Sequence, residues 1–218
     1  MKILLCGQKR FGRETFNLLR RLGHELLGVV CPVEGEDKLH VGALNAGVPV
    51  IPSGTLNAET CPDGLDLIIA AHSHDFIGRR TRQKALLGAL GYHPSLLPLH
   101  RGRDAIRWAI RMNERVTGGT VFWLNDTVDG GPIAAQDWCF IQPDDDARSL
   151  WERQLMPIGL RLFEKVLADL NQKRWVRVDQ DPALATWEPA IAGQPRLFRP
   201  DLLQIGSNGF TILKDRYD

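Results

Sequence analysis

In the first half of the sequence, short runs of consecutive apolar residues alternate with amphipathic stretches and end at glycine or proline. Such runs occupy residues 2–6, 25–31, 48–51 and 66–71. They lack the apolar–polar alternation of a strand with one face in water, so both faces are expected to be covered. Buried strands separated by helices are typical of a parallel sheet between helical layers. The sequence therefore predicts an α/β fold with a mostly parallel, twisted sheet flanked by helices.

Helical and strand-like patterns continue into the second half of the chain. An acidic cluster at residues 144–146 precedes an apolar stripe that runs from Ala147 to Leu170 and predicts a long helix. Pro157 lies inside this stripe, so a kink or a break is expected there. The other predicted helices cover residues 15–22, 41–46, 82–90 and 103–115, and the other extended segments cover residues 91–97, 120–124, 133–140 and 175–178.

The size and charge of the chain limit its functional class. Its 218 residues suffice for one large domain, or for one domain with an appendage. The 27 Lys and Arg residues and 26 Asp and Glu residues give a net charge of +1, which argues against binding of nucleic acid by bulk charge. No apolar stretch approaches the roughly 20 residues that a membrane helix needs, and no secretory signal is visible. We therefore expect a cytoplasmic protein that binds no membrane and keeps its four cysteines as reduced thiols.

Two motifs carry residues suited to chemistry. The first is Gly-Tyr-His-Pro-Ser-Leu-Leu-Pro at residues 91–98, followed by Leu-His-Arg-Gly, and it places His93 where a strand gives way to a loop. Loops at the carboxyl ends of strands are where open α/β sheets bind ligands. The second is Asn-Asp-Thr-Val-Asp-Gly-Gly-Pro-Ile at residues 125–133, in which glycines after Asp129 let the backbone approach a substrate closely. A helix and a strand separate His93 from Asp129, which could bring both side chains to one edge of the sheet.

Together, the two motifs resemble the formyltransferase family that uses 10-formyltetrahydrofolate. This family includes methionyl-tRNA, glycinamide ribonucleotide and sugar N-formyltransferases and the hydrolase domain of 10-formyltetrahydrofolate dehydrogenase. Similarity to that hydrolase domain extends to Gly-Gln-Lys-Arg-Phe-Gly at residues 7–12 and covers roughly residues 1–175. The resemblance implies a Rossmann-like formyltransferase fold with an antiparallel extension near residues 120–140. We expect a catalytic domain over residues 1–180 and an irregular tail over residues 181–218 that forms no separate domain.

The resemblance also assigns roles to individual residues. His93 and Asp129 match the catalytic His and Asp of the family. The predicted folate contacts are Asp75, Phe76 and Ile77, which match a segment lining the folate pocket, and Leu124, Asn125, Asp126 and Val128, which match a loop that closes over the pterin. The family also carries a catalytic Asn two residues before the His, where this chain has Gly91. Three interpretations follow: a water or backbone N–H replaces the amide, the site is hydrolase-like, or the protein is a weak catalyst.

Arginines and a histidine pair offer further binding roles. Arg101 and Arg103, at the start of an arginine-rich helix, are expected to bind a phosphate-bearing acceptor. The alternative is a solvated helix face whose side-chain stems pack on the core. His72 and His74 end a strand with both rings on one face, which is compatible with a metal site. No further ligands are evident, so we interpret this pair as a polar pocket rim and expect no metal.

The resemblance implies transfer of a formyl group from 10-formyltetrahydrofolate, a co-substrate, to the amine of a small acceptor. Such a transfer passes through an oxyanion and needs a hydrogen-bond donor and a base, which a His beside a carboxylate can supply. Hydrolysis to formate and tetrahydrofolate is the alternative within the family, and a non-catalytic folate-binding protein is the alternative outside it. Methionyl-tRNA is disfavoured as acceptor, because the tail is too short for the β-barrel domain of those enzymes. Apolar residues in the tail allow a homodimer: Leu197, Phe198, Leu202, Leu203 and Phe210.

Overall fold

The computed structural model describes residues 1–191, which form one mixed sheet with helices on it. The strands are β1 (Lys2–Gly7), β2 (Glu25–Cys31), β3 (Val50–Pro52), β4 (Leu67–Ala71), β5 (Ala89–His93), β6 (Val116–Trp123) and β7 (Ile133–Phe140). The α-helices are α1 (Lys9–Arg21), α2 (Lys38–Asn45), α3 (Arg79–Arg82), α4 (Ala105–Arg111), α5 (Ala147–Leu150) and α6 (Met156–Asn171). A π-helical turn (Trp151–Leu155) joins α5 to α6, and a 3₁₀ turn (Pro182–Leu184) follows later.

The strand order is β3-β2-β1-β4-β5-β6-β7. Neighbouring strands from β3 to β5 are parallel, whereas β6 and β7 add an antiparallel pair to the β5 edge. This topology confirms the predicted fold class and the predicted antiparallel extension. It places the loops after β4 and β5 at the same edge of the sheet.

Alternate residues of β1 enter two separate apolar clusters, one on each face of the sheet. Ile3 and Leu5 belong to the larger cluster, which includes buried residues of α1 and α6. Leu4 and Cys6 belong to the smaller cluster, which lies on the other face. Burial on both faces explains why the strands read as continuous apolar runs.

The predicted helix over residues 82–90 is wrong. Helix α3 ends at Arg82, and the amides of Leu86 and Leu87 donate to the backbone oxygens of Leu65 and Asp66 at 2.9 and 2.8 Å. Gly88 then adopts a left-handed φ of +93°, which lets the chain turn directly into β5. Backbone pairing beside the start of β4 therefore outweighs the helical pattern of this segment.

The helix predicted over residues 103–115 is shorter than expected. It ends at Arg111 because Asn113 adopts a left-handed φ of +55°. The amides of Asn113 and Glu114 donate to the backbone oxygens of Ile110 and Ala109, which is a Schellman motif with Asn in the position that glycine usually fills. The chain is thereby directed into β6.

The expected break near Pro157 is confirmed. Regular α-helix stops at Leu150, gives way to the π-helical turn and resumes at Met156, and Pro157 lies in the first turn of α6. The strand predicted over residues 175–178 is wrong, since only Val178 pairs, through two hydrogen bonds with Ile133 at the start of β7. The side chain of Trp175 is exposed, so this segment lacks the packing that a strand needs.

Cys6, Cys31, Cys61 and Cys139 are free thiols and are buried, as predicted. Burial raises the pKa of the Cys31 thiol to about 12, so this group stays protonated near neutral pH. Within residues 1–191, no helix has both the length and the apolar character that a membrane crossing requires. The five apolar tail residues on which the homodimer prediction rests lie outside the described residues.

Candidate active site

His93 is the last residue of β5 and lies at the carboxyl edge of the parallel strands. The preceding residue, Tyr92, anchors the strand: its ring packs against Phe11, and its hydroxyl donates to the backbone oxygen of Leu155 at 2.6 Å. The buried His93 ring lies 2.6 Å, through Nε2, from the backbone oxygen of His100. Because a carbonyl oxygen only accepts, Nε2 carries a hydrogen, and Nδ1 is the nitrogen left for proton transfer.

Asp129 lies on the turn between β6 and β7, in a left-handed conformation with a φ of +49°. Its Oδ2 accepts from the Gly102 amide at 2.8 Å and lies 3.6 Å from Nδ1 of His93. A Cβ at Gly131 would lie 1.7 Å from the backbone oxygen of Trp123, so glycine is required there for the turn to pack on β6. The two predicted catalytic side chains therefore meet at one edge of the sheet.

The loop after β5 is held by the antiparallel extension. Within the loop, Ser95 Oγ donates to the backbone oxygen of Leu99 at 2.6 Å. From β6, Thr120 Oγ1 donates to the backbone oxygen of Ser95 at 2.7 Å. From β7, Gln136 Nε2 donates to the backbone oxygen of Leu97 at 2.9 Å. Strands β6 and β7 thus fix the loop that carries the first motif.

Gly91 lies two residues before His93, on the same face of β5, and the space around it is filled. A Cβ at this position would lie 2.9 Å from Cδ2 of Leu124 and 3.2 Å from the ring of Phe122. Apolar side chains therefore lie where the family's catalytic amide is expected. No side-chain hydrogen-bond donor is supplied by residue 91.

The two predicted folate segments pack in the same apolar cluster and contact the same arginine side chain. Ile77 and Leu124 pack in the smaller apolar cluster. The buried Arg82 guanidinium donates to the backbone oxygen of Ile77 at 2.7 Å through Nη1, and its Nη2 pairs with the carboxylate of Asp126. Arg82, which the sequence did not single out, therefore joins both segments.

The remaining predicted folate residues divide into two kinds. The carboxylate of Asp75 accepts from Ser53 Oγ at 2.7 Å and from the Gly54 amide, and Asn125 Oδ1 accepts from the Thr127 amide at 2.9 Å. These two side chains hold turns. Phe76 and Val128, in contrast, are 78% and 58% exposed and present apolar surface to solvent.

Of the two arginines predicted to bind the acceptor, Arg101 is buried and Arg103 is exposed. Nε and Nη2 of Arg101 both donate to Oε1 of Gln180, at 3.1 and 2.7 Å. Nε2 of Gln180 donates in turn to the backbone oxygens of Asp129 and Gly131, at 2.8 and 2.7 Å. Arg101 therefore supports the turn that carries Asp129, and Arg103 has the more accessible guanidinium.

His72 and His74 lie beside each other after β4, with ring centroids 5.7 Å apart. Burial lowers the pKa of His72, with smaller contributions in the same direction from Lys9 and His74. Residues 1–191 contain no group of three or more His, Cys, Asp or Glu side chains arranged to hold a metal ion.

The segment over residues 180–191, here called the strap, crosses the loop after β5. Its Thr186 accepts from the His100 amide through Oγ1 at 2.7 Å, and its Trp187 ring packs against Gly102. Its Glu188 contacts the His100 side chain. The predicted domain boundary at residue 180 stays a prediction, but residues just beyond it contact the candidate site. No local pattern marks Gln180 or Glu188 in the sequence, whereas His100 lies within the first motif.

The sheet topology is that of the formyltransferase fold. An N-formyltransferase from Helicobacter canadensis, solved in complex with folinic acid and dTDP-3-aminofucose, superposes with a TM-score of 0.72 at 19% identity, over 86% of this chain and 70% of that chain. Residues 55–159 match the family model described as formyl transferase. The chain belongs to this folate-dependent formyltransferase family.

Two curated relatives share about a third of their aligned residues with the chain. Human mitochondrial 10-formyltetrahydrofolate dehydrogenase is 32% identical in a 201-residue alignment that covers 86% of this chain and 22% of the relative. Methionyl-tRNA formyltransferase of Chloroflexus aurantiacus is 32% identical in a 182-residue alignment that covers 77% of this chain and 58% of the relative. The chain thus spans about a fifth of the dehydrogenase and somewhat more than half of the tRNA enzyme.

Proposed function

We propose that the chain transfers the formyl group of 10-formyltetrahydrofolate to the amine of a small acceptor, with His93 and Asp129 as catalytic residues. The observation that carries this proposal is the 3.6 Å approach of Asp129 Oδ2 to His93 Nδ1 at the carboxyl edge of the sheet. In a family that handles folates, this pair supplies the base and the donor that formyl transfer needs.

The proposed step follows from which nitrogen of His93 is available. The acceptor amine attacks the formyl carbon, and its proton passes to Nδ1 of His93, which Asp129 orients. The resulting Nδ1–H stabilises the oxyanion of the tetrahedral intermediate. The bond from the formyl carbon to N10 of the folate then breaks, and N10 takes up the proton from Nδ1, which returns His93 to its neutral form. The products are the formylated amine and tetrahydrofolate.

The folate would bind along the two segments that Arg82 joins. Ile77 and Leu124 offer an apolar wall, and Phe76 and Val128 offer exposed apolar surface, which suits a flat heteroaromatic ring. A phosphate-bearing acceptor would meet the exposed Arg103 beside Gly102, whose amide already holds Asp129. A nucleotide-linked amino sugar, like the one in the Helicobacter complex, has the required amine and phosphates.

Hydrolysis of 10-formyltetrahydrofolate is the second candidate. It is favoured by Gly91, because Leu124 and Phe122 fill the space in which a catalytic amide at this position would lie. The match to the dehydrogenase over 86% of this chain points in the same direction. In this reaction water would take the place of the amine, and formate would replace the formylated product.

An assay with and without amines separates the two candidates. The purified protein is incubated with 10-formyltetrahydrofolate alone, and then with glycinamide ribonucleotide or with nucleotide-linked amino sugars. Tetrahydrofolate release is followed by absorbance, and products are identified by mass spectrometry. Release that requires an amine and yields its formyl derivative supports transfer, whereas amine-independent release of formate supports hydrolysis. Absence of both reactions, with folate binding intact, would contradict the catalytic proposal.

A further inference from the structure

The side chain of His100 is enclosed between two carboxylates. Its Nε2 lies 3.0 Å from Oε1 of Glu114, which follows α4, and its Nδ1 lies 3.0 Å from Oε2 of Glu188 on the strap. His100 is 4% exposed, and the Glu188 side chain is 3% exposed. Nε2 is hydrogen-bonded to Glu114, whereas Nδ1 and Glu188 form a close ion pair. Two carboxylates beside the ring favour its doubly protonated, charged form.

The backbone of the same residue holds the catalytic histidine. The His100 carbonyl oxygen lies 2.6 Å from Nε2 of His93, and the His100 amide donates to Thr186 on the strap. His100 adopts a left-handed φ of +54°, a conformation that a non-glycine residue keeps only when its surroundings hold it. The charged side chain and the contact with His93 therefore belong to one residue in a constrained conformation.

We propose that Glu114, His100 and Glu188 form a buried ionic clamp that positions His93, with the three as positioning residues for the reaction proposed above. The clamp keeps the His100 carbonyl on Nε2 of His93 and thereby directs Nδ1 toward Asp129. It joins the end of α4, the loop after β5 and the strap around the protonated ring of His100.

The clamp depends on the charge of His100. Burial by itself lowers the pKa of His100, but the carboxylates of Glu114 and Glu188 outweigh it and raise this pKa to about 9. Loss of the proton would leave two carboxylates, one of them buried, around a neutral ring. The other charged or titratable groups at this loop are already engaged: Arg101 donates to Gln180, and Asp129 accepts from Gly102. Deprotonation of His100 is therefore expected to release the carbonyl from His93.

The test combines the Glu188→Gln variant with the matched surface control Glu152→Gln, which loses only an exposed pair with Arg148. Removing one carboxylate lowers the pKa of His100, measured by NMR of ¹⁵N-histidine, by about two units. At about pH 8, kcat falls about tenfold or more because His93 is misplaced, whereas KM for 10-formyltetrahydrofolate stays unchanged. At lower pH, where His100 regains its proton, kcat recovers toward the wild-type value. The control leaves both the pKa of His100 and kcat unchanged.

The NMR measurement also separates failure of the clamp from failure of the proposed reaction. In the wild type, the Nε2–H resonance of His93 is observed and disappears as His100 titrates, whether or not turnover occurs. Retention of that resonance and of kcat in Glu188→Gln, with the pKa of His100 lowered, would overturn the clamp. If Glu188→Gln does not fold, Glu114→Gln, whose side chain is partly exposed, carries the same test.

Discussion

Gln180 donates from Nε2 to the backbone oxygen of Asp129 at 2.8 Å, although the two residues lie 51 positions apart. Oε1 of the same amide accepts from Arg101, so Gln180 joins the turn that carries Asp129 to the loop after β5. The candidate site is therefore built from the parallel sheet, its antiparallel extension and the strap together.

Replacing Gln180 with Leu should lower kcat without abolishing folding. The variant leaves the backbone oxygens of Asp129 and Gly131 without this donor and removes the acceptor of Arg101. We expect a loss of about 1–3 kcal/mol in the free energy of unfolding and a fall in kcat, measured by urea titration and by folate cleavage. Gln172→Leu, on the surface at the end of α6, is the control. Unchanged kcat in Gln180→Leu would show that the turn holds Asp129 without this amide.

Placing the family's Asn at position 91 should not increase the rate of folate cleavage. The Cβ of Asn would lie 2.9 Å from Leu124, so the side chain overpacks this part of the core. Overpacking costs about 1–3 kcal/mol of stability, and we expect no gain in the rate of folate cleavage for Gly91→Asn. Shortening the neighbour, in Gly91→Asn with Leu124→Ala, should recover part of the stability. A large rate gain in the single variant would instead mark Gly91 as a damaged catalytic position.

Removal of the Arg82 guanidinium should raise KM for the folate more than it lowers kcat. Arg82→Leu removes the guanidinium that links the Ile77 carbonyl to the Asp126 carboxylate. The Ile77 carbonyl is left without its buried donor. We expect KM for 10-formyltetrahydrofolate to rise about tenfold, which corresponds to about 1.4 kcal/mol, with kcat much less affected. The exposed Arg80→Leu serves as control in the same steady-state measurements. An unchanged KM in Arg82→Leu would exclude these two segments as the folate site.

The charge of His100 should make the protein less stable at high pH. The pKa of His100 is raised in the folded state, from 6.5 to about 9, so protonation favours folding. This contribution is complete below pH 6.5 and is lost as the pH rises through about 9. It amounts to about 3 kcal/mol, from 1.36 kcal/mol per pKa unit. Urea unfolding of the wild type and of His100→Asn across this window should show the pH-dependent difference, and parallel curves for the two proteins would contradict it.

Most of the fold follows from local sequence signals. Continuous apolar runs located β1, β2 and β4, and Pro157 located the break before α6. The wrong predictions concern segments whose structure depends on pairing with distant backbone or on the backbone conformation of a single residue. Residues 82–90 pair with backbone at the start of β4, and Asn113 ends α4 in a left-handed turn that its helical neighbours do not reveal.

The candidate site was predictable only where its residues form motifs. His93 and Asp129 lie in recognisable runs, and the structure brings them to 3.6 Å. Gln180, Glu188 and Arg82 act through contacts with distant backbone or with buried charges, and such partners have no fixed spacing in a sequence. The space filled at Gly91 likewise depends on side chains of β6 and the residue after it.

The most direct test of the account compares wild type with His93→Ala in cleavage of 10-formyltetrahydrofolate, with folate affinity measured in parallel. Removal of the imidazole takes away both the proton acceptor and the oxyanion donor, and the expected loss in kcat is at least about 10²–10³-fold. Folate affinity should remain close to that of the wild type, and His40→Ala, on α2, should retain full turnover. Unaltered turnover in His93→Ala would contradict the assignment of His93 and Asp129 as the catalytic pair.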